Sequence, residues 1–355
     1  GVHIMRKNKM VFDAPTDNPQ DEYINISVPK STYDLFNAVL AQPLTGPSDE
    51  YRRYLRESST INEEIYPFTE MFEDKKAPKG TVVSGILPNS KFYPGTSHPY
   101  WIYTPAQYNA SEPANLIVIY DGKFFMDEIE SKRRLKNKSI TILFDNLIAE
   151  GKLPVSIVFF AGYGVPGPGQ PINGVAAEGE INRSYEYDMT SDWNSRFLTE
   201  EFMPAVLSDY NISADPQDHA ICGISSSGMA AFSTAWFKPE YFGKVYIASA
   251  TFANIRNGIV WPYAIRICEK KPLKIFASVG KHDIDNFYGN WLNSNYDVAC
   301  ALQFRGYEHK LYITEGGHNI RLFLRFLPEG LTWLFNGTEP EMANCELADY
   351  SEILR

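Results

Sequence analysis

The chain has 355 residues, 44% hydrophobic and 21% charged, with a formal net charge of −10. That apolar content can build a large core and excludes a disordered chain. No apolar run approaches the ~18–20 residues that cross a bilayer, and the acidic balance argues against nucleic acid or anionic lipid, so neither nucleic acid nor membrane is the expected partner. Aromatics reach 14%, enough to line a pocket for a ring-bearing or sugar ligand as well as to fill the interior. Cys222, Cys268, Cys300 and Cys345 are widely spaced and include no C-x-x-C pair. Such spacing is neither a zinc ribbon nor a disulfide scaffold and permits two bridges at most.

The opening Gly-Val-His-Ile-Met-Arg lacks the apolar stretch of a secretory leader; a leader removed earlier would make a secreted or periplasmic location the expectation. Residues 21–79 are polar. Within them, Ser31-Thr-Tyr-Asp34 and Thr60-Ile-Asn-Glu63 each read as a helix cap followed by a carboxylate three positions on. Residues 1–78 are therefore read as a partly helical N-terminal extension.

From about residue 81 the pattern alternates. Strands are expected over 81–87, 100–103, 116–120, 156–160, 220–223, 245–248, 273–278 and 310–314, and helices over 140–150, 196–207, 228–236, 291–305 and 321–335. The strands from 116 onward are short continuous apolar runs, as required where both faces of a parallel sheet are covered. The reading is an α/β domain over 79–338 with a mostly parallel central sheet flanked by helices, and a tail over 339–355. In such sheets the chemistry lies on the loops at the carboxyl ends of the strands.

One of those loops reads Gly223-Ile-Ser225-Ser226-Ser227-Gly228 and enters a small-residue helix. It approximates the G-x-S-x-G elbow, in which a sharp strand-to-helix turn lifts a serine hydroxyl out of the sheet; a plain serine helix cap is the structural alternative. A nucleophilic serine needs a base, and the base an orienting carboxylate. Later strand ends supply Asp283, with Asp285 as the rival acid, and His318 after a Gly pair, with His282 as the rival base. The order serine, acid, histidine is that of the α/β-hydrolases. Backbone N–H groups at Ser226 and in the Asp121-Gly122 loop are the candidate oxyanion donors.

These residues resemble a known group, the enterochelin-esterase-like branch of the esterase D family. The resemblance runs over roughly residues 78–335. It rests on Phe92-Tyr-Pro-Gly95, Tyr100-Trp-Ile-Tyr-Thr-Pro-Ala-Gln-Tyr108, Asp121-Gly122, Asn182-Arg-Ser-Tyr-Glu-Tyr-Asp188 and Cys222-Gly-Ile-Ser-Ser-Ser-Gly228. It continues through Phe252-Ala-Asn-Ile-Arg256, Asp283-Ile-Asp-Asn286, Gly289-Asn-Trp291 and Gly316-Gly-His318. It implies an α/β-hydrolase fold and a cofactor-free serine carboxylesterase with Ser225, Asp283 and His318 in the catalytic roles. Its relatives include siderophore trilactone esterases, feruloyl and acetyl-xylan esterases, and acyltransferases. Ser227 departs from the family's glycine. The expected substrate is a feruloyl or acetyl ester of plant polysaccharide. The alternatives are a siderophore trilactone, acyl transfer on the same residues, or a non-catalytic binding protein with an elbow degraded at Ser227. Arg183, Glu186 and Asp188 either brace the loop over 162–182 or touch substrate. Phe252, Trp261, Tyr263 and Trp291 are candidate pocket walls, with core packing as the alternative for each, and His98 and the N-terminal extension are candidate roofs of the cleft.

Overall fold

The computed structural model describes residues 2–6, 9–12, 73–135, 138–166, 178–286, 288–341 and 345–349. The chain divides into two compact units, Gly1–Arg53 and Tyr54–Arg355. In the first, β1 (Val2–Arg6) and β2 (Lys9–Phe12) form an antiparallel hairpin with Val2 opposite Phe12. The helical stretches expected around Ser31 and Thr60 lie outside the described residues.

The second unit holds the large sheet. Its strands are β3 (Thr81–Leu87), β4 (Thr96–Thr104), β5 (Asn115–Tyr120), β6 (Ser156–Ala161), β7 (Val165–Pro166), β8 (His219–Ile224), β9 (Lys244–Ala248) and β10 (Lys274–His282). The short pair β11 (Asp285–Asn286) and β12 (Gly289–Asn290) stands apart, and β13 (Glu308–Gly317) and β14 (Cys345–Leu347) complete the set. The helices are α1 (Gly122–Met126), α2 (Glu128–Arg134), α3 (Thr141–Ala149), α4 (Glu178–Tyr187), α5 (Trp193–Arg196) and α6 (Met203–Leu207). After them come α7 (Ser226–Phe237), α8 (Trp261–Ile267), α9 (Trp291–Phe304) and α10 (Ile320–Asn336).

The main path runs β14-β13-β10-β9-β8-β5-β6-β4-β3, with β7 paired to β4. The six strands from β13 to β6 are mutually parallel, and β3, β4 and β14 close the ends antiparallel. Successive side chains on a strand point to opposite faces, and the parallel strands are apolar on both. Leu116, Val118 and Tyr120 of β5 join Ile157 and Phe159 of β6 in one core, with Phe232 and Ala235 of α7. Ile117 and Ile119 join Val158 and Phe160 in the other, with Phe144 of α3 and Leu322, Phe323 and Leu327 of α10. Each fully buried aliphatic or phenyl side chain contributes about 1.5–3 kcal/mol to holding the layers together.

Every strand expected from 81 onward is present; β3 has the expected bounds, β10 begins one residue later and runs on to His282, and the others are longer by one to several residues. Several features are not in the sequence reading, among them the short strands β7, β11 and β12 and the helices α1, α2 and α8. Residues 178–187 form α4 where part of a long loop was expected. The helix expected over 196–207 is α5 and α6 joined by a π-helical stretch, Phe197–Phe202, which buries Phe197, Leu198 and Phe202 together. The expected tail supplies β14, pairing Leu347 with Tyr312. All four cysteines are free thiols.

Candidate active site

The carboxyl ends of β5, β8, β9, β10 and β13 converge on one cluster. Ser225 stands between β8 and α7 at φ 59°, ψ −126°, a backbone conformation that costs a non-glycine residue about 1–3 kcal/mol. Hydrogen bonds on both sides hold it there: its N–H donates to the Ala248 carbonyl at 3.0 Å, and its carbonyl accepts from Thr251 N–H at 2.9 Å and Gly228 N–H at 3.0 Å. Gly223 is obligatory in this turn, because a Cβ on it would lie 2.1 Å from the Ser227 carbonyl oxygen. The Ser227 side chain is itself part of the turn. Its buried hydroxyl accepts from Ile224 N–H at 2.9 Å and donates to the Ile224 carbonyl at 2.8 Å. The departure from glycine at 227 thus braces the elbow across its mouth.

His318 follows the Gly pair at the end of β13, and Asn319 caps α10 by accepting from Arg321 N–H at 2.9 Å. With the helix start fixed one residue on, the imidazole swings toward β8. Its Nε2 lies 2.9 Å from Ser225 Oγ and its Nδ1 lies 2.7 Å from Asp283 Oδ1. A Cβ on Gly280 would come within 2.0 Å of the Gly316 carbonyl oxygen, so the β10 and β13 ends approach as closely as backbone permits. Asp283 is 3% exposed. Its Oδ1 also accepts from Ile284 N–H at 2.7 Å, and its Oδ2 accepts from the Ser249 hydroxyl. The rivals are elsewhere: Asp285 is an exposed residue of the β11–β12 pair, and the half-exposed His282 has its Nε2 3.9 Å from Glu315.

The flanking arm is built from β5, α1 and α4. Asp121, fully buried, takes φ 60° as the cap of α1. The Gly122 that follows packs on β6, where a Cβ would lie 2.7 Å from the Phe160 carbonyl carbon. The N–H of Gly122 opens α1 and that of Ser226 opens α7; such first-turn groups have no acceptor within their own helix. Arg183 grips Asp121 through both carboxylate oxygens, at 2.7 and 2.6 Å. Burial pulls the guanidinium down, and the Asp121 carboxylate more than offsets it, so Arg183 stays above its ordinary value. The Tyr187 hydroxyl accepts from Asp121 N–H at 3.3 Å. Burial raises Asp188, against the pull of the Ser184 hydroxyl, Arg183, the Ser226 hydroxyl and Arg256.

The remaining expected site residues have varied placements. Arg183 is engaged by Asp121 in a bracing role, and Glu186 accepts from Gly164 N–H and Asn182 and pairs with His98 Nε2 at 2.9 Å. His98 is completely buried there and roofs nothing. Trp261 is a core residue, edge-on to Phe232 and Trp236, and Phe252 packs edge-on to the same Phe232. Trp291 is 1% exposed, with its ring 6.1 Å from that of His318 and nearly perpendicular to it. The apolar character of the three side chains decides their burial. Two neighbours of the cluster were missed in the sequence: Ser249, and Thr251, whose Oγ1 is 3.4 Å from Ser225 Oγ. Their only sequence signal is position just after a parallel strand.

A mostly parallel sheet with Ser225, Asp283 and His318 at the ends of β8, β10 and β13, in that chain order, defines the α/β-hydrolase class. Within it, the chain belongs to the Esterase family, whose model matches residues 93–334. It is 24% identical over 265 residues to the iron(III) enterobactin esterase of Dickeya dadantii (strain 3937), covering 69% of this chain but only 53% of that protein. Two similar solved structures share the fold. The enterobactin esterase of Shigella flexneri superposes with a TM-score of 0.57 at 17% identity, over 73% of this chain and 61% of that one. The ferulic acid esterase of the anaerobic fungus Anaeromyces mucronatus gives 0.57 at 16% identity, over 76% of this chain and 96% of that one.

Proposed function

We propose that the chain hydrolyses carboxylic esters through an acyl-enzyme on Ser225. The observation that carries this reading is the pair of hydrogen bonds placing His318 between Ser225 Oγ and Asp283, at 2.9 and 2.7 Å. Ser225 Oγ attacks the ester carbonyl while His318 Nε2 takes its proton, and Asp283 holds Nδ1–H and stabilises the imidazolium. The N–H groups of Ser226 and Gly122 receive the tetrahedral oxyanion, each such donor contributing about 3–4 kcal/mol to the barrier reduction. His318 then protonates the departing alcohol, and a water activated by the same imidazole releases the acid. The sequence needs no metal or organic cofactor.

Feruloyl or acetyl esters carried on plant polysaccharide are the proposed substrates. The chain spans 96% of the fungal ferulic acid esterase but 61% of the Shigella enterobactin esterase. A ferric triscatecholate is strongly anionic and calls for a basic cleft, whereas this chain carries −10 and Arg183 beside the site is held by Asp121. The siderophore trilactone remains the second reading, favoured by the Dickeya relative. Acyl transfer would run on the same residues with a sugar hydroxyl replacing water.

Turnover of methyl ferulate, p-nitrophenyl acetate and a catecholate trilactone by wild type and Ser225→Ala tests these readings. The expected result is release of ferulate and acetate by wild type alone, with free acid as the product even with a sugar acceptor present. Preference for the trilactone selects the siderophore reading, and ester products on the sugar select transfer. No turnover of any ester contradicts catalysis and leaves a binding protein.

A further inference from the structure

The turn after β9 touches both the nucleophile and the acid. Ala248 receives the Ser225 N–H, and Thr251 donates its own N–H to the Ser225 carbonyl. Between them, Ser249 donates its N–H to the Ser278 carbonyl of β10 at 2.7 Å and its hydroxyl to Asp283. Ser249 is completely buried and sits at φ 44°. Glycine would take that conformation without strain, but glycine carries no hydroxyl. The fold accepts a strained backbone at a position where the side-chain hydroxyl engages the acid's second oxygen.

Resting on the reading of Ser225, His318 and Asp283 as the catalytic relay, we infer that Ser249 is a positioning residue for the acid. Its hydroxyl fixes Asp283 through Oδ2, leaving Oδ1 aimed at His318. The division of labour follows from the carboxylate. Oδ1 takes His318 Nδ1 and the Ile284 N–H, each at 2.7 Å. The Ser249 hydroxyl holds the other oxygen, so both ends of the carboxylate are tethered against rotation about Cβ–Cγ and the imidazole is presented to Ser225 in one orientation. A buried carboxylate oxygen that loses a donor is less well compensated for its desolvation and turns more readily toward another partner. Ser249 touches neither substrate nor the reacting atoms. Its effect belongs on the chemical step and not on ester binding.

The test compares Ser249→Ala and Ser249→Gly with wild type on p-nitrophenyl acetate, with the rate of Ser225 labelling by a fluorophosphonate measured in parallel. Losing one hydrogen bond to a charged group corresponds to about a tenfold loss. Both variants are expected to lose about that factor in kcat and in labelling rate, with KM within twofold of wild type. Ser249→Gly relieves the backbone strain, so it is expected to melt no lower than Ser249→Ala while losing the same activity. Retention of kcat within twofold by a folded variant, or a change confined to KM or melting temperature, overturns the inference. Absence of turnover and labelling in wild type overturns the underlying hydrolase reading, a separate and recognisable result.

Discussion

Gly223→Ala probes the elbow with the smallest possible addition. The new Cβ would sit 2.1 Å from the Ser227 carbonyl oxygen, 2.4 Å from its carbonyl carbon and 2.8 Å from Gly228 N. Ordinary contact begins at 3.4 Å, so the first turn of α7 must retreat by about 1 Å. All three obstructing atoms are backbone, and none can swing aside as a side-chain tip could. Overpacking of this kind costs about 1–3 kcal/mol, and a misplacement near 1 Å in a reacting group costs on the order of a hundredfold in rate. Moving Ser227 also strains its two hydrogen bonds to Ile224. The variant is therefore expected to fold, to melt several degrees below wild type, and to lose about a hundredfold in kcat/KM for p-nitrophenyl acetate. Steady-state kinetics and thermal melting on the same preparation check both numbers. Activity within threefold of wild type would refute the account of how the elbow is held.

Three further perturbations address the supports around the site. Ser227→Ala removes the hydroxyl that bridges Ile224 N–H and C=O, and is expected to cost about 1–2 kcal/mol in urea unfolding; an unchanged midpoint contradicts the bracing role. Arg183→Met strands the buried Asp121 charge and is expected to cost about 3–5 kcal/mol, with much of it recovered in the double variant Asp121→Asn, Arg183→Met. Failure of the double variant to recover any stability would show that the pair is not the source. Asp188→Asn tests a linkage. Burial raises the Asp188 carboxyl above its ordinary value, so its penalty is absent while folded and unfolded states are both protonated. That penalty grows as pH climbs past the unfolded value of about 3.9. The variant is expected to gain stability over wild type at pH 7–8 and to lose the gain below about pH 4, as followed by melting across that range. A pH-independent difference would contradict the assignment.

The hydrogen-bonded set of Ser225, His318 and Asp283 was legible because each stands on a different strand-end loop, two of them with a local backbone signature. Ser225 has the small residues its turn demands, and His318 has the Gly pair that lets β13 approach β10. Both cues concern the backbone, which sequence patterns report well. Ser249 and Thr251 carry no such cue, since their importance arises only when parallel pairing brings the β9 end between β8 and β10. Helix α4 was missed for another reason. Its residues are polar, and its place is fixed by buried charge partners, Arg183 with Asp121 and Glu186 with His98, instead of by an apolar stripe. The doubt attached to Ser227 also dissolves only in three dimensions, where its hydroxyl finds both backbone groups of Ile224. Trp261 and Phe252 show the opposite limit: aromatic residues after strand ends read equally well as pocket wall or interior, and only packing decides.

The central claim is that Ser225 is a nucleophile activated by His318 and Asp283, and covalent labelling reads it directly. Wild type, Ser225→Ala and His318→Ala are treated with a fluorophosphonate, and the adduct is located by peptide mass mapping. The account predicts a single stoichiometric adduct on Ser225 in wild type, none in Ser225→Ala, and labelling slowed by orders of magnitude in His318→Ala. No adduct, an adduct on Ser226 or Ser227, or labelling indifferent to His318 would contradict it.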